Sequence, residues 1–214
     1  PLIVNEREIP RLRAEIALGL GGFAKALNWA SEAMKRLSPA DEISRSIEDS
    51  RIRALLGLGR FREALSVVES SLASRDSGSA DLSMFRAQAA LHSGRLPEAK
   101  KAADLACALA LAAGERAQLI EALLLRARTS RETGDTEAAR RDLDRAQGLS
   151  RGLRDASVLP TVLSDRADLM AHSGDWAEAG RNAGQSAPLF ARTLSPHEHL
   201  SAGRRTGLVG LAQH

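Results

Sequence analysis

Apolar and small residues recur along this chain in steps of three and four, the interval that gathers side chains on one face of a helix. Such stretches flank five glycines, in "LGLGGFAKA" (18–26), "LGLGRFREA" (56–64), "LHSGRLPEA" (91–99), "RETGDTEAA" (131–139) and "AHSGDWAEA" (171–179). Proline does not interrupt the stretches, so each unit reads helix, tight turn, helix, with glycine supplying the backbone freedom that ends the first helix. The pattern predicts ten helices in five antiparallel pairs and no strand. Repeats span about 5–37, 38–75, 76–113, 114–153 and 154–194, with breaks such as "LSPAD" (37–41), "AAGE" (112–115) and "GLRDA" (152–156) between them. Residues 195–214 begin with a good helix start, Ser195-Pro196, and read as a capping helix or the start of a further repeat.

The register is strict. The marker glycines, Gly21, Gly59, Gly94, Gly134 and Gly174, are separated by 38, 35, 40 and 40 residues. Five residues after each stands Ala26, Ala64, Ala99, Ala139 or Ala179; twelve after stands Ala33, Ser71, Ala106, Ala146 or Ser186. Seven before stands Ala14, Ile52, Ala87, Ala127 or Ala167, and eight before stands an arginine: Arg13, Arg51, Arg86, Arg126, Arg166. Small residues at fixed depth let paired helix axes approach to about 8–10 Å. Two residues after the glycine, Phe23, Phe61, Leu96 and Trp176 can wedge into the turn, while Thr136 departs from the rule. One helical pair cannot bury both its faces, so the units stack.

The phrase Gly-x-aromatic-x-x-Ala, with small residues seven before and twelve after the glycine, resembles the tetratricopeptide repeat across residues 5–194. That resemblance implies an all-α, right-handed α-solenoid of five repeats that binds a protein or peptide on the concave face lined by its first helices. The periods of 38 and 40 exceed the family's usual one, as in long-period arrays of bacterial regulatory and signalling proteins, and the repeat-closing proline is mostly missing.

Composition narrows the class. Ala and Leu dominate, Tyr is absent, and Phe and Trp total six, four and two, which favours helix over sheet. A sole cysteine, Cys107, forms no internal disulfide and fits a reducing, cytoplasmic setting. The longest apolar run, "LACALALAA" (105–113), is far short of the ~20 residues of a membrane helix. The chain starts at Pro1, which reads as a piece of something longer. Its net charge of +3 is carried by arginine, with only four lysines, interleaved with acids as in "RRDLDRA" (140–146). This is the texture of a solvated helix surface, not the clustered basic patch with aromatics that binds nucleic acid.

Catalytic templates do not fit. In "HEH" (His197–His199) the histidines lie two apart and diverge on a helix, so no metal site is read there. Cys107 sits in an Ala/Leu helix without a nearby histidine and reads as inert. The glycine cluster near residue 20 lacks the preceding strand of a dinucleotide site. The expectation is a non-enzyme without cofactor or metal.

Two residue sets remain. The arginine ladder runs through every unit, which points to a structural staple that hydrogen-bonds carbonyls or a carboxylate, with an anion-binding surface as its rival. The candidate groove takes the residues thirteen, ten, six and two before each glycine. They are Glu8, Arg11, Glu15, Gly19; Ser46, Asp49, Arg53, Gly57; Asp81, Met84, Gln88, His92; Glu121, Leu124, Arg128, Glu132; and Thr161, Ser164, Asp168, His172. Seven carboxylates face three arginines, with Met84 and Leu124 as apolar contacts, so a basic or mixed-charge partner segment is expected. The Lys/Asn/Arg set with which some tetratricopeptide domains clamp an acidic C-terminal tail is absent from this stripe. The leading reading is a non-catalytic, protein- or peptide-binding scaffold, the interaction or sensory part of a larger bacterial protein. The alternatives are a regulatory module controlling an attached DNA-binding or peptidase effector, and a peptide-signal sensor.

Overall fold

The computed structural model describes residues 8–35, 37, 42–74, 78–151 and 158–193. Among them are ten helices and no strand: α1 (Ile9–Gly19), α2 (Phe23–Met34), α3 (Glu42–Gly57), α4 (Phe61–Ser74), α5 (Ala80–His92), α6 (Leu96–Ala113), α7 (Arg116–Glu132), α8 (Thr136–Ser150), α9 (Val158–His172) and α10 (Trp176–Thr193). The expected C-terminal helix within 195–214 and the His197–His199 pair lie outside the described residues, as do most of the inter-repeat breaks. The described residues sort into two compact units, one within 1–99 and one within 100–214. Among the described residues no helix is long and apolar enough to cross a membrane.

The repeated glycine is explained by its backbone. All five marker glycines take φ between 70° and 83°, the left-handed region where a Cβ is strained. Each closes its first helix with the same paired bonds: at Gly59, the glycine N–H reaches Leu56 O at 3.1 Å and the Arg60 N–H reaches Leu55 O at 2.9 Å. This six-to-one and five-to-two pairing satisfies carbonyls that would otherwise be orphaned at the helix end. In repeats four and five the next residue starts the second helix. Asp135 accepts from the Ala138 N–H and Asp175 from the Glu178 N–H, both at 3.0 Å.

Small residues then set the packing. All five alanines at plus five, all five small residues at plus twelve, and all five residues at minus seven are buried. In the first unit Ile52, Leu55 and Leu56 of α3 meet Ala64, Leu65 and Val68 of α4 and Leu82, Phe85 and Ala89 of α5, one core running across repeats two and three. In the second unit Leu123 of α7, Leu143 of α8 and Leu169 of α9 are fully buried on helices packed α7 on α8, α8 on α9 and α9 on α10. One expectation is corrected: α10 continues through Pro188. The ring removes the N–H that would bond the Gly184 carbonyl.

Candidate functional site

The ladder arginines hold their first helices against carboxylates of second helices. In the first unit Arg86 donates from Nη2 to Glu98 Oε1 at 3.1 Å. In the second, Arg126 forks onto Asp142, Nε to Oδ2 at 2.8 Å and Nη2 to Oδ1 at 2.7 Å, and its Nη1 reaches Asp104 Oδ1 of the preceding repeat at 3.3 Å. Arg166 repeats the double grip, with Asp144 Oδ1 at 2.8 Å and Gln147 Oε1 at 3.0 Å behind it and Glu178 Oε1 at 3.9 Å in its own repeat. The ends differ. Arg51 is half-buried with a buried Nε that lacks a hydrogen-bond partner, and Arg13 is exposed. Glu98, Asp104, Asp142 and Asp144 escaped the sequence reading because their offsets change between repeats. The available signal was a carboxylate four or eight after the marker glycine in repeats two to five (Glu63, Glu98, Asp142, Glu178), against Lys25 in repeat one.

The wedge residues reach further than their own turns. Phe23 lies against Gly57 of the next repeat so closely that a Cβ there would stand 2.4 Å from the ring. Phe61 stacks on His92 of the next repeat, ring centroids 4.8 Å apart at 16°. Residue plus two of one repeat thus meets residue minus two of the next. Around Phe61 and His92 lies an open cleft of about 430 Å³, whose other walls are Arg60, Arg62 and Glu63. The Glu63 carboxyl is held below its ordinary range, first by its hydrogen bond from Arg60.

The candidate groove residues fall into three groups. Met84 and Leu124 are core residues, 7% and 5% exposed, so the apolar contact expected from them is corrected. Their first helices also pack on neighbouring first helices, α3 on α5 and α7 on α9, which covers that position. Several charged members are paired: Arg11 bridges Glu8 at 3.2 Å and Glu15 at 2.9 Å, and Arg128 Nη2 holds the buried Asp165 at 2.9 Å. Glu132 meets Arg131 at 2.9 Å, and Arg131 reaches Asp168 at 3.9 Å. Arg53 is exposed and lies over the Phe85 ring, 5.6 Å from its centroid. Glu15, His92, Glu121, Glu132, Asp168 and His172 are exposed, and Asp49, Asp81, Gln88 and Arg128 are half-buried. The polar stripe therefore carries both signs within each unit. Cys107 is buried, and burial pushes its thiol up to about 11.

No protein-family model matches the chain, and no curated protein matches it. Solved structures do. A thermophilic tetratricopeptide-repeat protein of Thermus thermophilus superposes with a TM-score of 0.70 at 21% identity, over 87% of this chain and 96% of that one. The fold is that of the tetratricopeptide repeat. A tetratricopeptide-repeat protein from Parabacteroides merdae is similar at TM-score 0.56 and 17% identity, over 87% of this chain and 67% of that one. A Rap protein, solved in complex with Competence and Sporulation Factor, is similar at 0.58 and 12%, over 88% and 66%. With the tetratricopeptide fold in hand, the stripe of exposed polar residues belongs to the first helices of the repeats, and the ladder arginines to the seams between first and second helices.

Proposed function

We propose that this chain is a non-catalytic helical-repeat module that binds a protein or peptide segment of mixed charge on the first helices of its repeats, as the interaction or sensory part of a larger cytoplasmic protein. One observation carries the reading. On α7 and α9, packed side by side, Glu121, Glu132, Asp168 and His172 stay exposed while the other faces of both helices are buried. Arg128 is tied to the buried Asp165 and Arg131 to the exposed Glu132, so the surface carries a fixed pattern of both signs. Such a pattern sets the orientation and on-rate of a charged segment more than its affinity. The similar Rap protein with its bound factor supports a partner of protein character.

A peptide array tests it. Segments bearing Lys or Arg should be enriched, their binding should weaken as salt rises from ~0.05 to ~0.5 M across the screening range, and Glu121→Lys with Asp168→Lys should remove the enrichment. Best binders that are purely acidic, or binding indifferent to the charge reversal, would refute the assignment.

A further inference from the structure

The second helices of the second unit share one register of exposure. In α6, α8 and α10 the residues six, seven, ten and eleven after the marker glycine are exposed, and those eight and twelve after it are buried. At plus six and seven stand Lys100 and Lys101 on α6, Arg140 and Arg141 on α8, and Gly180 and Arg181 on α10; Arg145 stands at plus eleven on α8. The first unit carries no cation there: the exposed residues at the same offsets of α2 and α4 are Asn28, Glu32, Ser66, Glu69 and Ser70. The basic stripe therefore belongs to three successive repeats and is not the general texture of the helix surfaces.

Along the chain these cations alternate with acids, and folding undoes the alternation. The acids at plus ten, Asp104 and Asp144, are taken by ladder arginines of the following repeats, Arg126 at 3.3 Å and Arg166 at 2.8 Å. The same two bonds set each second helix at one offset from the next first helix, which brings the cations of successive repeats into register. Among the described residues no ion pair engages Lys100, Lys101, Arg140, Arg141, Arg145 or Arg181, and Glu137 is the one exposed acid of these helices that the ladder leaves unused. Leu105, at plus eleven on α6, is 52% exposed one turn from Lys101.

We propose that this stripe docks an acidic protein segment, at a site separate from the mixed-charge surface of the first helices. Guanidinium groups match carboxylates in a fork, as Arg126 and Asp142 do within the chain. Leu105 offers an apolar side chain of the segment a contact for which a phosphate backbone has no use. No aromatic stands at the exposed offsets of these helices for a base to stack on, which speaks against single-stranded nucleic acid. A membrane surface would ask for apolar side chains on all three helices, and the stripe has its leucine on one.

Fluorescence anisotropy of a labelled peptide of repeated Glu-Glu-Leu, titrated with the full chain at low salt, tests this. The peptide should bind, and binding should weaken as salt screens the charges. Arg140→Glu with Arg141→Glu should weaken it about tenfold or more. Lys100→Gln with Lys101→Gln, a milder change, should act in the same direction, and Leu105→Ser should weaken binding at every salt concentration. All five residues are exposed, so unchanged circular dichroism confirms folding. Glu121→Lys with Asp168→Lys, on the first helices, should leave the complex no weaker, which keeps the two sites apart. An acidic peptide that does not bind, or that is indifferent to the charge reversal or to Leu105→Ser, overturns the proposal. So does a DNA oligonucleotide, or a vesicle of phosphatidylcholine with phosphatidylserine, that binds more tightly than the peptide and is lost with the same reversal.

Discussion

Replacing Arg126 by Ala separates a staple from an ornament. Its guanidinium makes two bonds of 2.7 and 2.8 Å to Asp142, whose side chain is 10% exposed, and one of 3.3 Å to the half-exposed Asp104. Removing one partner of a fully buried pair costs roughly 3–5 kcal/mol, because the other charge stays buried alone. Arg126 is 26% exposed, so water reaches Asp142 once the guanidinium is gone; the loss falls toward the ~1–3 kcal/mol of an unsatisfied buried group. The Asp104 contact adds about 0–1 kcal/mol. A total near ~2–3 kcal/mol lowers the Tm of a chain this size by about 4–12 °C, at roughly 2–4 °C per kcal/mol. Thermal denaturation followed by far-UV circular dichroism reads the shift. Arg126→Met combined with Asp142→Leu should recover most of it, since both charges leave together. If Arg126→Ala melts with the parent, or if the double variant is no better than the single one, the pair is not a staple.

Further outcomes follow from single sites. Gly57→Ala forces a Cβ to 2.4 Å from the Phe23 ring and should cost about 1–3 kcal/mol, whereas Gly148→Ala, in open space on α8, should stabilise by about 0.5–1 kcal/mol; equal shifts in urea denaturation would deny the close approach. The Cys107 thiol, raised by burial from 9.0 to about 11, should resist thiol reagents at mildly alkaline pH until the chain unfolds, and prompt labelling of the folded protein contradicts its burial. The direction is upward, so the thiol's contribution to stability is complete below 9.0 and fades as pH rises through about 11. Burial also raises the Asp165 carboxyl above 3.8 against the pull of Arg128. Relative to Asp165→Asn, the parent should be most stable below 3.8 and lose ground as pH rises through the folded value, and a difference that grows with pH reverses the sign.

What was legible in the sequence was what tolerates few residue types. A left-handed φ admits glycine, and a close helix approach admits alanine or serine, so Gly94 with Ala99 or Gly174 with Ser186 could be read directly from spacing. The stripe was harder. Counting three and four along one helix places Met84 beside Asp81 and Gln88, but α5 has neighbours on several sides, and only packing between repeats decides that Met84 is covered. The carboxylates of the ladder were invisible for a different reason. A long guanidinium reaches a partner four, eight or ten residues after a glycine equally well, so no single offset recurs: Glu98 serves Arg86, and Asp142 and Asp104 serve Arg126.

That tolerance bears on how such an array changes length. Join Gly134 directly to Asp175, and forty residues disappear while the turn phrase stays intact. Arg126 keeps Asp104 behind it and meets Glu178 ahead in place of Asp142, in the position from which Glu98 serves Arg86. Unequal recombination between these two glycines can therefore drop a repeat without stranding Arg126, and the variable spacing of the acids becomes a property on which divergence by duplication can act.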